Sequence, residues 1–135
     1  MTEKKLIEVV AAVIEYNGRI LCVQRGPAKY SYISKKWEFP GGKIELDESH
    51  EKALLREIKE ELNITIEIRA SLITVDHEYP DFKLKMHAYD CTLTEIGNIN
   101  FSEHIDHCWL ATSDLKFKKL DWAEADIPIV DFIGK

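Results

Sequence analysis

The amino-acid sequence predicts an α/β domain that combines several strands with two principal helices. Two kinds of pattern lead there. β-Branched apolar runs alternate with turn residues, and two stretches repeat their apolar residues at helical spacing. One of those stretches also gathers carboxylates behind a glycine pair.

Leu6 to Tyr16 contains Ile7, Val9, Val10, Val13 and Ile14 and reads as a buried strand. Asn17-Gly18 separates it from a second apolar run, Arg19 to Gln24, and is the strongest short-range hairpin signal in the chain. Arg25-Gly26-Pro27 to Lys36 is a polar loop with Tyr30 and Tyr32. Trp37 to Phe39 resumes as a short strand, stopped by Pro40-Gly41-Gly42. Ser49 is suited to cap a helix that runs to about Leu62 and buries Leu54, Ile58 and Leu62. Asn63 tolerates the left-handed conformation that ends helices. Ile64 to Val75 and Lys83 to Leu93 read as two strands joined around Glu78-Tyr79-Pro80-Asp81, and Cys108 to Ala111 as a last short strand. A second helix is expected over Glu124 to Ile133, with Ile127, Val130 and Ile133 on one stripe and Pro128 in its first turn. No internal repeat, low-complexity tract or linker interrupts the chain, so residues 1–135 read as one domain.

Composition narrows the function classes. With 45% hydrophobic and 31% charged residues, the 135-residue chain can bury a core and is not a disordered polymer. A net charge of −6 without a basic stripe argues against binding a nucleic-acid polymer. A small phosphate ligand stays open, because divalent cations can reverse the local field. Cys22, Cys91 and Cys108 are odd in number and lack CxxC pairing, which suits a reduced, cytoplasmic protein. Residues Met1 to Lys5 hold no apolar leader and no run reaches membrane-spanning length, so no membrane partner is expected. The sequence does not decide between monomer and homodimer, and says nothing of any role for His50, His77 or His87.

Glu57, Glu60 and Glu61 stand at i, i+3 and i+4, hence on one side of the first helix. Such a cluster repels itself unless a cation sits among the carboxylates, and hard oxygens are what Mg²⁺ binds, with Mn²⁺ as an alternative. An isolated Glu/Lys/Arg-rich helix is usually only a solvated face. Gly42 and Glu48 at fixed offsets argue for a site instead. The full spacing is Gly42-x5-Glu48-x7-Arg56-Glu57-Ile58-x-Glu60-Glu61-x-Asn63-Ile64. It resembles the Nudix box in every specified position but one, Asn63 standing where that family has glycine. A small stability cost without loss of activity is expected there.

The resemblance continues beyond the box. Trp37-Glu38-Phe39-Pro40-Gly41-Gly42-Lys43 is similar to a run of the MutT-type branch, which includes 8-oxo-dGTP diphosphatases and CTP pyrophosphohydrolases. It implies a Nudix fold, a mixed sheet sandwiched between helices (α/β/α). It also implies roles by position. The Gly41-Gly42 pair would allow a tight turn, with the Gly42 carbonyl a metal ligand. Glu57, Glu60 and Glu61 would hold the ion, Arg56 would buttress a carboxylate, and Glu48 would brace the loop. Glu103 would add a loop carboxylate as metal ligand or base; His104 and His107 read as surface residues. Arg25 would face the phosphates. Asp126, in Ala125-Asp126-Ile127-Pro128, would read the nucleobase, with a helix N-cap as its alternative. Phe39 and Tyr79 would line the base pocket or belong to the core. The implied reaction is metal-dependent hydrolysis of a nucleoside triphosphate to the monophosphate and pyrophosphate. The expected substrate is 8-oxo-dGTP, which would make the protein a sanitiser of the nucleotide pool that protects DNA replication. CTP, dCTP or 5-methyl-dCTP is the alternative. A catalytically silent binding module is disfavoured by the complete glutamate set.

Overall fold

The structure, a computed structural model, describes residues 3–94, 97–115 and 120–134. Strand β1 (Lys5–Tyr16) and β2 (Arg19–Arg25) form the expected hairpin, with Asn17 and Gly18 at φ 52° and 76°. Two consecutive positive φ angles are what a two-residue hairpin turn needs to match strand twist. The hairpin is paired only at its closed end, Glu15 with Ile20 and Tyr16 with Arg19. Further along the two strands part. The short strand β4 (Gly41–Lys43) then takes the edge of β1 at Val9 to Ala11.

Helix α1 (His50–Leu62) follows β4. The Ser49 hydroxyl accepts the Lys52 N–H at 3.2 Å, and Asn63 ends the helix at φ 57° with its N–H donated to the Lys59 carbonyl. Both caps are those expected. Strand β5 (Ile66–Glu78) and β6 (Phe82–Leu93) pair antiparallel, while β6 runs parallel to β1 along its length. With β3 (Trp37–Glu38) and β7 (His104–Ala111), the sheet is ordered β3-β2-β1-β6-β5, with β4 on β1 and β7 on β2. It is therefore mixed.

Alternate residues of β1 serve opposite faces. Val10, Ala12 and Ile14 pack with Ala53, Leu54, Ile58 and Leu62 of α1. Ala11 and Val13 join the cluster that holds Ile129 and Val130 of α2 (Ile127–Ile133). The sheet thus lies between helices, as the resemblance implied.

Three local expectations need correction. The final helix does not begin at Glu124: residues Glu124–Asp126 form a 3₁₀ turn, whose tighter winding shifts the phase of α2. Ile129 and Val130 are consequently buried while Ile127 is exposed. Strand β7 starts at His104, four residues before the expected start, because β2 offers an antiparallel edge as far as Arg25. The Gly41-Gly42 pair is a strand and not a turn, and neither residue has a positive φ. Glycine is required for close approach instead. A side chain on Gly41 would run into the Val10 carbonyl of β1, and one on Gly42 into the Glu57 carboxylate.

Candidate active site

The loop from β4 to α1 is held by one guanidinium. Arg56 Nε and Nη2 donate to the two oxygens of Glu48 at 2.7 and 2.9 Å, and Nη2 also donates to the Lys43 carbonyl at 3.0 Å. Nη1 donates to Glu57 at 2.8 Å and to Glu60 at 3.3 Å. Glu48 in turn accepts the Glu45 N–H at 3.0 Å. The bond from Arg56 and then that from the Glu45 backbone hold the Glu48 carboxyl down to about 2. Arg56 is therefore a fully engaged brace, and Glu48 ties the loop to α1 through it. Glu60 is turned outward, its side chain 61% exposed.

Glu57 and Glu61 lie further in. The Glu57 carboxylate rests against the Gly42 backbone. Glu61 stands one helical turn on, and its Oε2 is buried without a hydrogen-bond partner. Burial pushes its carboxyl up to about 8; the Glu38, Glu57 and Glu103 carboxylates add to the rise and Arg25 offsets part of it. Four carboxylates and one guanidinium thus converge from α1, β2, β3 and the loop before β7. A buried oxygen with no donor, inside a set of hard anionic ligands, fits a divalent cation and is costly without one. Glu57 and Glu61 would be its principal holders, with Glu103 in reach of the same charge cluster.

Two members of this cluster are absent from the site that the sequence predicts. Glu38 receives both donors of Arg25, Nη2 at 2.8 Å and Nε at 3.3 Å. Its position inside the Trp37-Glu38-Phe39 run is the available signal. His104, expected at the surface, has a side chain only 5% exposed, and its Nε2 lies 4.0 Å from Glu61 Oε2. The pairing of His104 with Arg25 across β7 and β2 turns it inward. Burial holds this imidazole below its usual range and hence neutral. His107 remains exposed and stacks on Phe101.

On the other face of the sheet a cavity of about 540 Å³ opens where β1 and β2 part. Arg25, Glu38 and Gly42 line the side toward the carboxylates, and Phe39, Tyr79 and Asp126 the opposite side. The segment around Trp122 closes this side by bonding to β3: Trp37 donates to the Asp121 carbonyl and Ala123 to the Trp37 carbonyl. That contact delivers Asp126. Its side chain does not cap α2; instead Oδ2 accepts the Phe39 N–H at 2.9 Å in the interior. Asp126 thus stands at the N-cap position of α2, but its side chain is committed to the Phe39 amide and makes no cap bond. Burial raises the Asp126 carboxyl well above the usual range and Glu38 adds to it, against the Phe39 N–H and Arg25. Tyr79 is both core and cavity wall. Its hydroxyl accepts the Ala125 N–H at 3.1 Å, and its ring stacks on Tyr32 at 5.1 Å. Phe39 stacks on Trp122 at 4.9 Å.

Comparison with known proteins places this geometry. A family model, the NUDIX domain, matches residues 4–131. The CTP pyrophosphohydrolase of Escherichia coli K12 is 38% identical over 127 residues, covering 94% of this chain and 90% of that protein. An 8-oxo-dGTP diphosphatase from Proteus vulgaris is 43% identical over 82 residues, 60% of this chain and 71% of the relative. The crystal structure of a MutT NUDIX hydrolase from Burkholderia pseudomallei superimposes with a TM-score of 0.81 at 27% identity, over 96% of this chain and 98% of that one. The glutamate helix, the glycine strand against it and the α/β/α sandwich are those of a Nudix pyrophosphohydrolase, and the chain belongs to the Nudix family.

Proposed function

We propose that the protein hydrolyses a nucleoside triphosphate to the monophosphate and pyrophosphate, with Mg²⁺ or Mn²⁺ held by Glu57, Glu61 and the Gly42 carbonyl. The observation that carries this reading is the buried, unpartnered oxygen of Glu61 within a cluster of carboxylates. The ion would neutralise phosphate charge and acidify a bound water. Arg25, its Nε and Nη2 donating to Glu38, would meet the phosphates through Nη1 on the cavity wall. With Glu61 engaged by the ion, Glu103 is the carboxylate proposed to accept a proton from water. Arg56 holds Glu57 in place, so that charge on the reacting phosphoryl group meets ligands already oriented. In this reading the protein works in the cytoplasm, alone or as a homodimer, and takes free nucleotides and not polymers. Among the described residues no helix is long and apolar enough to cross a membrane.

For the base, a neutral Asp126, the form that burial favours, would suit cytosine. A neutral carboxyl donates from one oxygen and accepts at the other, which matches N3 and the exocyclic amine of cytosine. An ionised carboxylate only accepts, which matches the two N–H donors on a guanine-type edge. Burial favours the neutral form. The CTP-cleaving relative also aligns across 94% of the chain. The second reading, 8-oxo-dGTP with a role in mutation avoidance, draws on the Proteus vulgaris relative, at 43% identity over a shorter match.

Pyrophosphate release across a panel of CTP, dCTP, 5-methyl-dCTP and 8-oxo-dGTP tests both layers. The cytosine nucleotides are expected to have the highest kcat/KM. Asp126→Asn, which keeps one donor and one acceptor, should retain CTP turnover within about tenfold, whereas Asp126→Ala should raise KM about 10- to 100-fold. Preference for 8-oxo-dGTP would transfer the assignment to the second reading. Absence of pyrophosphate from every nucleotide would overturn the enzymatic one.

A further inference from the structure

Glu8, His50 and His87 come from β1, the first turn of α1 and β6, and meet at one point. His87 Nε2 is hydrogen-bonded to Glu8 Oε2, and His50 Nε2 lies 3.7 Å from the same oxygen. The two imidazoles are stacked, with centroids 4.0 Å apart and planes inclined by 25°. One donor atom from each residue can be chosen so that all lie within 4.8 Å of one another. Nothing in the proposed hydrolysis uses these three side chains.

We infer that Glu8, His50 and His87 form a second cation site, built for a transition ion of the Zn²⁺ type and distinct from the glutamate site. Two imidazoles and one carboxylate make a three-ligand zinc set, with the fourth position left to water. Zinc–ligand bonds of about 2.0–2.2 Å place tetrahedral donors roughly 3.4 Å apart. The observed 3.7 Å separation and the overall 4.8 Å limit therefore need only side-chain rotation. Both Nε2 atoms face one carboxylate oxygen, so an ion entering between them takes the place of the His87–Glu8 hydrogen bond. The other nitrogen of His87 is provided for: Nδ1 lies 3.2 Å from Thr74 Oγ1, its cross-strand partner. With Nδ1–H donated to that hydroxyl, Nε2 is the nitrogen left to bind metal.

The two sites differ in chemistry and place. Imidazole suits zinc, copper, nickel and cobalt, whereas the all-oxygen set around Glu57 and Glu61 suits magnesium and manganese. His50 precedes Glu57 by seven residues, about 10 Å along the helix axis. An ion bound at the histidine site would pin the start of α1 to β1 and β6.

Co²⁺ absorption in the visible region reports a tetrahedral site directly and is measured with Mg²⁺ in large excess to fill the oxygen site. The wild-type protein is expected to bind one equivalent of Co²⁺, displaced by Zn²⁺. His50→Ala and His87→Ala should each weaken binding at least tenfold, and Thr74→Val about tenfold, outer-shell losses commonly costing 10- to 100-fold. Glu61→Gln should leave it unchanged. His50→Gln, at a partly exposed helix start, provides a variant whose folding is not at issue. Co²⁺ binding that survives both histidine substitutions, that disappears with Glu61→Gln, or that is absent from the wild type would overturn the assignment.

Discussion

Glu48 and Glu61 belong to one motif and lie within 13 residues of each other, yet their surroundings drive them in opposite directions. Glu48 receives two bonds from Arg56 and one from the Glu45 backbone, and its carboxyl is held down to about 2. Glu61 receives none at its buried oxygen, faces Glu38, Glu57 and Glu103, and is pushed up to about 8. The first is a finished contact that fixes the backbone. The second is an unfinished one, carried at a cost to the fold, and in the proposed reading a cation completes it. Glu57 sits between the two regimes, tied to Arg56 on one side and lying against Gly42 on the other.

The largest effect is expected from Glu57→Gln, which removes a charge from the proposed ligand set and keeps the shape. Turnover at saturating Mg²⁺ should fall at least about a hundredfold, the scale on which transition-state charge partners act, while the thermal midpoint changes little. A midpoint that collapses with activity would assign Glu57 to the brace instead. Arg56→Ala attacks the finished side and leaves Glu48 and Glu57 without their donors. Calorimetry should show a loss of about 2 kcal/mol, with a lower midpoint, and Arg56→Lys should recover only part because an ammonium lacks the fork. The smallest effect is expected at the helix end, where Asn63 occupies φ 57°. Asn63→Gly should stabilise by roughly 0.5 kcal/mol with unchanged kcat, since glycine takes this conformation without a steric cost.

The contrast also shows what a sequence can carry. The spacing from Gly42 to Asn63 is legible because it lies in one helix and the loop before it, where position along the chain dictates direction in space. Glu38 and His104 are not, because each is aimed by pairing with β2, and Glu61 meets them only after distant strands have joined. Gly41 and Gly42 suggest turn freedom, whereas their need is for backbone contact with β1 and α1, a property of packing alone. Asp126 has two equally natural local fates. The 3₁₀ turn and the Trp37–Trp122 bridge carry it inward to the Phe39 amide, a contact that neither fate names. Tyr79 is poised between core and pocket, and serves both.

In the reading proposed above, the fold holds Glu61 protonated until a cation displaces the proton. A folded-state affinity raised above the unfolded value means that the native state binds more protons, so Glu61 makes stability fall as pH rises from the ordinary glutamate range to about 8. The direct measurement is the thermal midpoint of the metal-free protein against pH, compared with Glu61→Gln. The two curves should separate progressively over that window, the variant becoming the more stable toward pH 8. A constant difference across the window would show that Glu61 ionises as an ordinary surface carboxylate, and would contradict the account.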